Sequence, residues 1–212
     1  MATTGALGQS GHATRGVPRD RWYHFTVERY HRLIEGGFFT PEDKIELLEG
    51  QLVKKMPHNS PHAAAVQQLV TFLAVQLAAF PGWLVRGQLP ITTEDSEPEP
   101  DLAVVKADPN MYFDHHPTGA EIGTVIEVAD SSLAEDRGVK RRIYARARVP
   151  SYWIVNIREK QVEVFTEPGL DQESEPVYQS ERRYQADEEI PLILGGSEGL
   201  RLSMKELLGW GS

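Results

Sequence analysis

A chain of 212 residues is long enough for one domain with a real core. Hydrophobic residues at 40% and charged residues at 25% are the proportions of a water-soluble globular protein, and no apolar stretch approaches the length of a membrane span. A formal charge of −9 argues against a nucleic-acid binder, and the lack of cysteine excludes disulfides, thiolate catalysis and cysteine-based zinc sites, in keeping with a cytoplasmic protein.

The charge is uneven. Arg137, Lys140, Arg141, Arg142, Arg146 and Arg148 follow one another with no acid among them, which leaves −15 on the remainder. The first twenty residues are rich in Gly, Thr and Ser and hold no apolar segment, so a disordered tail is expected there rather than a signal peptide, with one domain over 21–212.

In chain order, Val27, Tyr30, Leu33 and Ile34 stand at helical spacing, with Thr26 as N-cap and Gly36-Gly37 as the stop. Residues 44–56 read as two short strands around Glu49-Gly50. A clear helix follows over 60–80, with Ser60 as the expected cap, Pro61 in its first turn and a stripe of Val66, Leu69, Val70, Leu73 and Leu77. After Pro81-Gly82 the strands "WLVRGQLPIT", "DLAVVK" (101–106) and "TVIEVA" (124–129) are separated by an acidic run and a long loop. The run "TEDSEPEP" is expected to be solvated. A helix is predicted over roughly 133–147, then a hairpin of "SYWIVNI" and "QVEVFTE", a polar stretch at 169–198 with weak strand signals, and a short helix capped by Ser203. The fold class is α/β or α+β with one central mixed sheet flanked by helices.

Two carboxylates stand out. Side chains alternate across a strand, so Asp101 shares a face with Ala103 and Val105, and Glu127 shares one with Val125 and Ala129. If the strands pair antiparallel across the 107–123 loop, the two acids become neighbours. Two carboxylates on an apolar strand face repel and are costly to bury, and a divalent cation resolves both problems. On the next helix Val139, Ile143 and Ala147 would dock on the sheet, with Lys140 at the border of that stripe and within reach of the acids. Asp, Glu and Lys around one metal are the parts for phosphodiester hydrolysis: the metal activates water, and the lysine stabilises developing charge. The other reading pairs Glu127 with Arg142 as a structural ion pair.

These segments, together with "KIELLEGQLVKKM", His62 at a helix start, "EPDLAVV", "VIEVADSS" and "AEDRGVKRRIYARARVPSYWIVN", resemble the Uma2 family within the PD-(D/E)XK nuclease superfamily. The resemblance spans about residues 23 to 168. It implies a restriction-endonuclease-like fold and a Mg2+-dependent endodeoxyribonuclease, with Mn2+ as a possible substitute. Asp101 and Glu127 match the metal-binding acids. The superfamily's usual lysine position is Ala129 here, and Lys140 matches the lysine moved to the following helix. Glu46 matches an early acid and His62 a histidine that contacts phosphate or orients an acid; Tyr144 packs or hydrogen-bonds. DNA is the implied substrate, no membrane is involved, and a homodimer follows by analogy.

Other candidates are weaker. His115-His116 are adjacent in a loop and unsuited to joint chelation. Tyr152 and Trp153 read as core. Within the basic cluster, Arg137 and Arg141 suit a DNA-phosphate surface, whereas Arg146 and Arg148 suit a helix C-terminus. The alternatives to a nuclease are a catalytically inactive nuclease-fold module that binds or supports a partner and, last, a glycoside hydrolase.

Overall fold

The structure, a computed structural model, describes residues 21–40 and 42–209; the tail expected over residues 1–20 lies outside the described residues. Helix α1 (Val27–Glu35) starts where Thr26 accepts a hydrogen bond from Arg29 N–H. It buries Tyr30, whose hydroxyl donates to the Ile45 carbonyl at 2.8 Å, but Ile34 of the expected stripe faces solvent. The hairpin β1 (Ile45–Leu48) and β2 (Gln51–Lys54) turns at Glu49-Gly50, as the sequence predicts. Helix α2 (Ser60–Leu77) is capped one residue earlier than expected: Asn59, not Ser60, accepts from His62 N–H at 3.0 Å. Val66, Leu69, Leu73 and Leu77 are buried along it.

Six strands form the central sheet in sequence order: β3 (Trp83–Gly87), β4 (Leu102–Lys106), β5 (Ile122–Ala129), β6 (Ser151–Asn156), β7 (Gln161–Leu170) and β8 (Pro176–Tyr184). All neighbours are antiparallel except β5 and β6, which run parallel. Parallel neighbours require a crossover. It is made by α3 (Leu133–Glu135), a π-helical turn Asp136–Lys140 and α4 (Arg141–Arg146). The helix predicted over 133–147 is thus real but carries a wide turn in its middle.

Both faces of the sheet are covered, so β5 and β6 read as continuous apolar runs. One face packs Leu102, Val104, Ile126, Val128 and Trp153 against α2, the hairpin β9 (Glu189–Leu194) and β10 (Ser197–Ser203), and helix α5 (Met204–Leu208), which Ser203 caps. The other packs Ala103, Val125, Ala129, Tyr152 and Phe165 against Ile143 and Tyr144 of α4. Trp153 and Tyr152 are fully buried, as expected. The polar segment 169–198 holds more strand than its sequence suggests. Gly123 lets β9 approach: a Cβ there would stand 2.5 Å from the Ile193 carbonyl oxygen.

Candidate metal centre

The antiparallel register pairs Leu102 with Ile126, which sets Asp101, just before β4, opposite Glu127. Asp101 N–H points to Glu127 Oε2 at 3.4 Å. Lys140 arrives from the crossover. The i→i+5 turn inserts one residue into the helix, and both polar residues bracketing it, Asp136 and Lys140, face inward and are buried. Lys140 Nζ donates to Glu127 Oε1 at 3.0 Å, and Tyr144 donates to the same oxygen at 2.6 Å. Oε1 is therefore fixed twice over, while Oε2 keeps only the long contact. The expected alternative, an ion pair between Glu127 and Arg142, is not what forms: Arg142 grips Glu49 with Nε–Oε1 at 2.7 Å and NH2–Oε2 at 2.5 Å.

Asp101 Oδ2 accepts from Val128 N–H at 2.8 Å and lies 3.0 Å from His62 Nε2, at the start of α2. Glu46, on β1, is buried and accepts from Glu99 N–H at 3.1 Å. These residues border a cleft of about 340 Å³. Glu46, Asp101, Glu127 and Asp136 line it against Lys140, with Lys55 already paired to Glu99. Four buried carboxylates around one buried ammonium leave a surplus of acidic groups in a poorly hydrated place. The surplus shows in the acidities. Burial, with Asp101 and Asp136 nearby, pushes the Glu127 carboxyl up to about 8 against the pull of Lys140. Burial likewise lifts Asp136 to about 6. Burial also works on Asp101, but the hydrogen bonds from His62 and Val128 outweigh it and hold this group below its ordinary value. Burial opposes the charge on Lys140, yet Glu127, Glu46 and Asp136 prevail and keep it firmly protonated. The acidities of the two facing acids are thus pushed in opposite directions, Asp101 down and Glu127 up.

The structure brings Asp101, Glu127, Lys140, Glu46 and His62 to this one cleft. Two further residues went unread as site residues. Asp136 is buried with Oδ1 unpartnered, and only the π turn, invisible to a period count, aims it inward. His58 lies beside His62, with ring centroids 4.1 Å apart. The spacing His58-x-x-x-His62 was a signal, masked by the cap residues between them. Desolvation and His62 hold His58 below its ordinary value.

The acidic run 93–100 is not solvated. Ser96 and Glu97 are buried, and Glu97 accepts from Thr92 Oγ1 at 2.8 Å and meets His31 Nε2 at 2.7 Å. The basic cluster is not a field of free cations either. Arg137 is paired with Glu163, Arg142 with Glu49, and Arg146 with both Glu49 and Asp95. Arg141 lies over Phe165 and 4.0 Å from Glu181, so Arg137 and Arg141 both have acidic neighbours in other segments. Among the described residues no helix is long and apolar enough to cross a membrane.

A mixed sheet with an acidic, lysine-bearing cleft at the start of one strand defines a nuclease-like α/β protein. The chain belongs to the Uma2 family, whose model, described as a putative restriction endonuclease, matches residues 27–204. Among solved structures it is similar to that of a putative nuclease belonging to DUF820 from Anabaena variabilis ATCC 29413, at 18% identity over 88% of this chain and 98% of that one, with a TM-score of 0.67. At that identity the likeness is one of fold. No curated protein matches the chain.

Proposed function

We propose that the chain hydrolyses phosphodiester bonds of DNA with Mg2+, for which Mn2+ can substitute. The observation that carries this reading is the meeting of Asp101, Glu127 and Lys140 in a cleft where buried carboxylates outnumber ammonium groups. The residues fit a hard divalent cation. Carboxylate oxygens are its preferred donors, the cleft needs positive charge, and Asp136 Oδ1 is buried there without a partner. Asp101 and Glu127 would hold the ion, with Glu46 and His62 in support. A bound divalent ion supplies Lewis-acid polarisation of a phosphoryl oxygen and makes a nearby water more acidic.

The chain's own groups do the positioning. Tyr144 and Lys140 both hold Glu127 Oε1, leaving Oε2 for the cation. Val128 N–H and His62 fix Asp101 in advance, so little reorganisation is left for the reaction. An ammonium has three donors, and Lys140 spends one on Glu127. The others can meet the oxygens of an entering phosphate and stabilise the charge that develops there. Without a cation the cleft repels a polyanion, so ion and substrate binding are coupled.

A plasmid-nicking assay with Mg2+ and with Mn2+ tests this, run on the wild type beside Asp101→Asn and Lys140→Met. Nicking that both variants lose while still melting cooperatively is the expected result. Unchanged nicking by Asp101→Asn, or none by the wild type with either ion, refutes it; the second outcome leaves a nuclease fold that serves as a binding or structural module.

A further inference from the structure

We propose that His58, His62 and Asp101 form a second cation position that takes a nitrogen-seeking divalent ion such as Co2+ or Zn2+ rather than Mg2+. It shares Asp101 with the carboxylate position and rests on the nuclease reading only for what the ion does, not for whether it binds.

Each of the three residues offers a ligand atom, and these atoms lie within 4.8 Å of one another. They come from separate parts of the chain. His62 stands in the first turn of α2, Asp101 at the start of β4, and His58 in the loop before the helix, where Asn59 both caps α2 and binds Asp130. The arrangement is held from outside. His58 Nδ1 lies 2.9 Å from the Gln88 amide, and Asp101 Oδ2 is fixed by Val128 N–H. Neighbours that fix the orientation of ligating groups are the usual support of a metal site.

Two features are unexplained by packing alone. Two imidazole rings lie 4.1 Å apart, centroid to centroid, tilted by 40°, with no hydrogen bond between them. His62 is 92% buried by its 8% exposure, yet its Nδ1 has no hydrogen-bond partner. A buried polar atom of this kind is costly unless something else engages the ring. A cation that engages His62 through Nδ1 removes the anomaly.

The donor set names the class of ion. Mg2+ prefers oxygen and keeps its waters, whereas imidazole donors suit later first-row ions such as Co2+ and Zn2+. Three protein ligands beside an open cleft is the donor count of a site with a free coordination position. His58 is exposed at the mouth, so an ion can enter without unfolding.

The test is a pair of titrations on the full chain, Mg2+ followed by calorimetry and Co2+ followed by its visible absorption. The proteins are the wild type, His58→Ala and Glu127→Gln. His58→Ala alters an exposed residue, and a thermal melt confirms its fold. The expected result is Co2+ binding by the wild type that weakens about tenfold or more in His58→Ala, with Mg2+ affinity changed far less. Co2+ binding equal in wild type and His58→Ala overturns the proposal, as does an equal loss of both ions, which is the mark of a structural role. The two readings fail separately. Mg2+ binding lost in Glu127→Gln while His58→Ala leaves Co2+ untouched sinks this proposal alone; Co2+ binding lost in His58→Ala with no Mg2+ binding by the wild type sinks the Mg2+ reading alone.

Discussion

Replacing Glu127 by Gln should stabilise the metal-free protein, and the gain should depend on pH. In the folded chain burial holds the Glu127 carboxyl at about 8, against an ordinary value of 4.5. Between those values the folded state keeps a proton that the unfolded chain releases. Rising pH therefore favours unfolding: the contribution of this group is intact below about 4.5 and is lost by about 8. At roughly 1.4 kcal/mol for each pKa unit, the whole span gives a ceiling of about 5 kcal/mol. The amide introduced by the substitution would be neutral throughout and would still offer an oxygen to Lys140 and Tyr144. The difference in stability between variant and wild type should be near zero around pH 4.5 and grow to roughly 2–5 kcal/mol in favour of the variant near pH 8.5. For a chain of this size that is about 5–15 °C in melting temperature. Urea denaturation in chelator at several pH values measures it. Asp136 rises to about 6 and drifts in the same sense, but it is present in both proteins and largely drops out of the difference. Adding Mg2+ near pH 8.5 should raise the stability of the wild type and not of the variant. A difference that stays flat with pH, or a variant less stable at every pH, refutes the claim that burial makes ionisation of Glu127 costly.

Three further outcomes are expected. Lys140→Met should keep or tighten Mg2+ binding, since it removes a competing positive charge, while lowering turnover by about 10²–10³; calorimetry and nicking measured together check this, and loss of both would assign Lys140 to ion binding instead. Tyr144→Phe removes one of two donors to Glu127 Oε1, so stability should fall by about 1 kcal/mol in chemical denaturation, with the Glu127 carboxyl raised further. Gly119→Ala would place a Cβ 2.0 Å from the Ala147 carbonyl oxygen, where α4 ends; about 1–3 kcal/mol of stability should be lost with metal affinity unchanged.

The parts of the site visible in the sequence are those that depend on short-range periodicity. Alternation along "DLAVVK" and "TVIEVA" is enough to put Asp101 and Glu127 on one face, and the loop between the strands is enough to suggest their antiparallel pairing. Likewise the stripe on α2 and the cap at Ser203 follow from local spacing. What escaped was set by partners far away in the chain. "TEDSEPEP" looks solvated because its charges look unpaired, yet its partners are His31, Lys55 and Arg146, none of them sequence neighbours. Its backbone completes the site: Glu97 N–H binds the Leu47 carbonyl and Glu99 N–H binds Glu46, so the run fastens β1 beside Asp101. The same reasoning shrinks the apparent basic surface, because Arg137, Arg142 and Arg146 each have an acid waiting in another segment. The π turn is a third case. A period of 3.6 residues puts Lys140 at the border of the apolar stripe but gives Asp136 no place in the site, and the folded turn buries both. The acidic excess of the chain is in this sense not a solubility feature spread over its surface. Part of it is folded inward around one lysine, where it costs stability unless a cation is present.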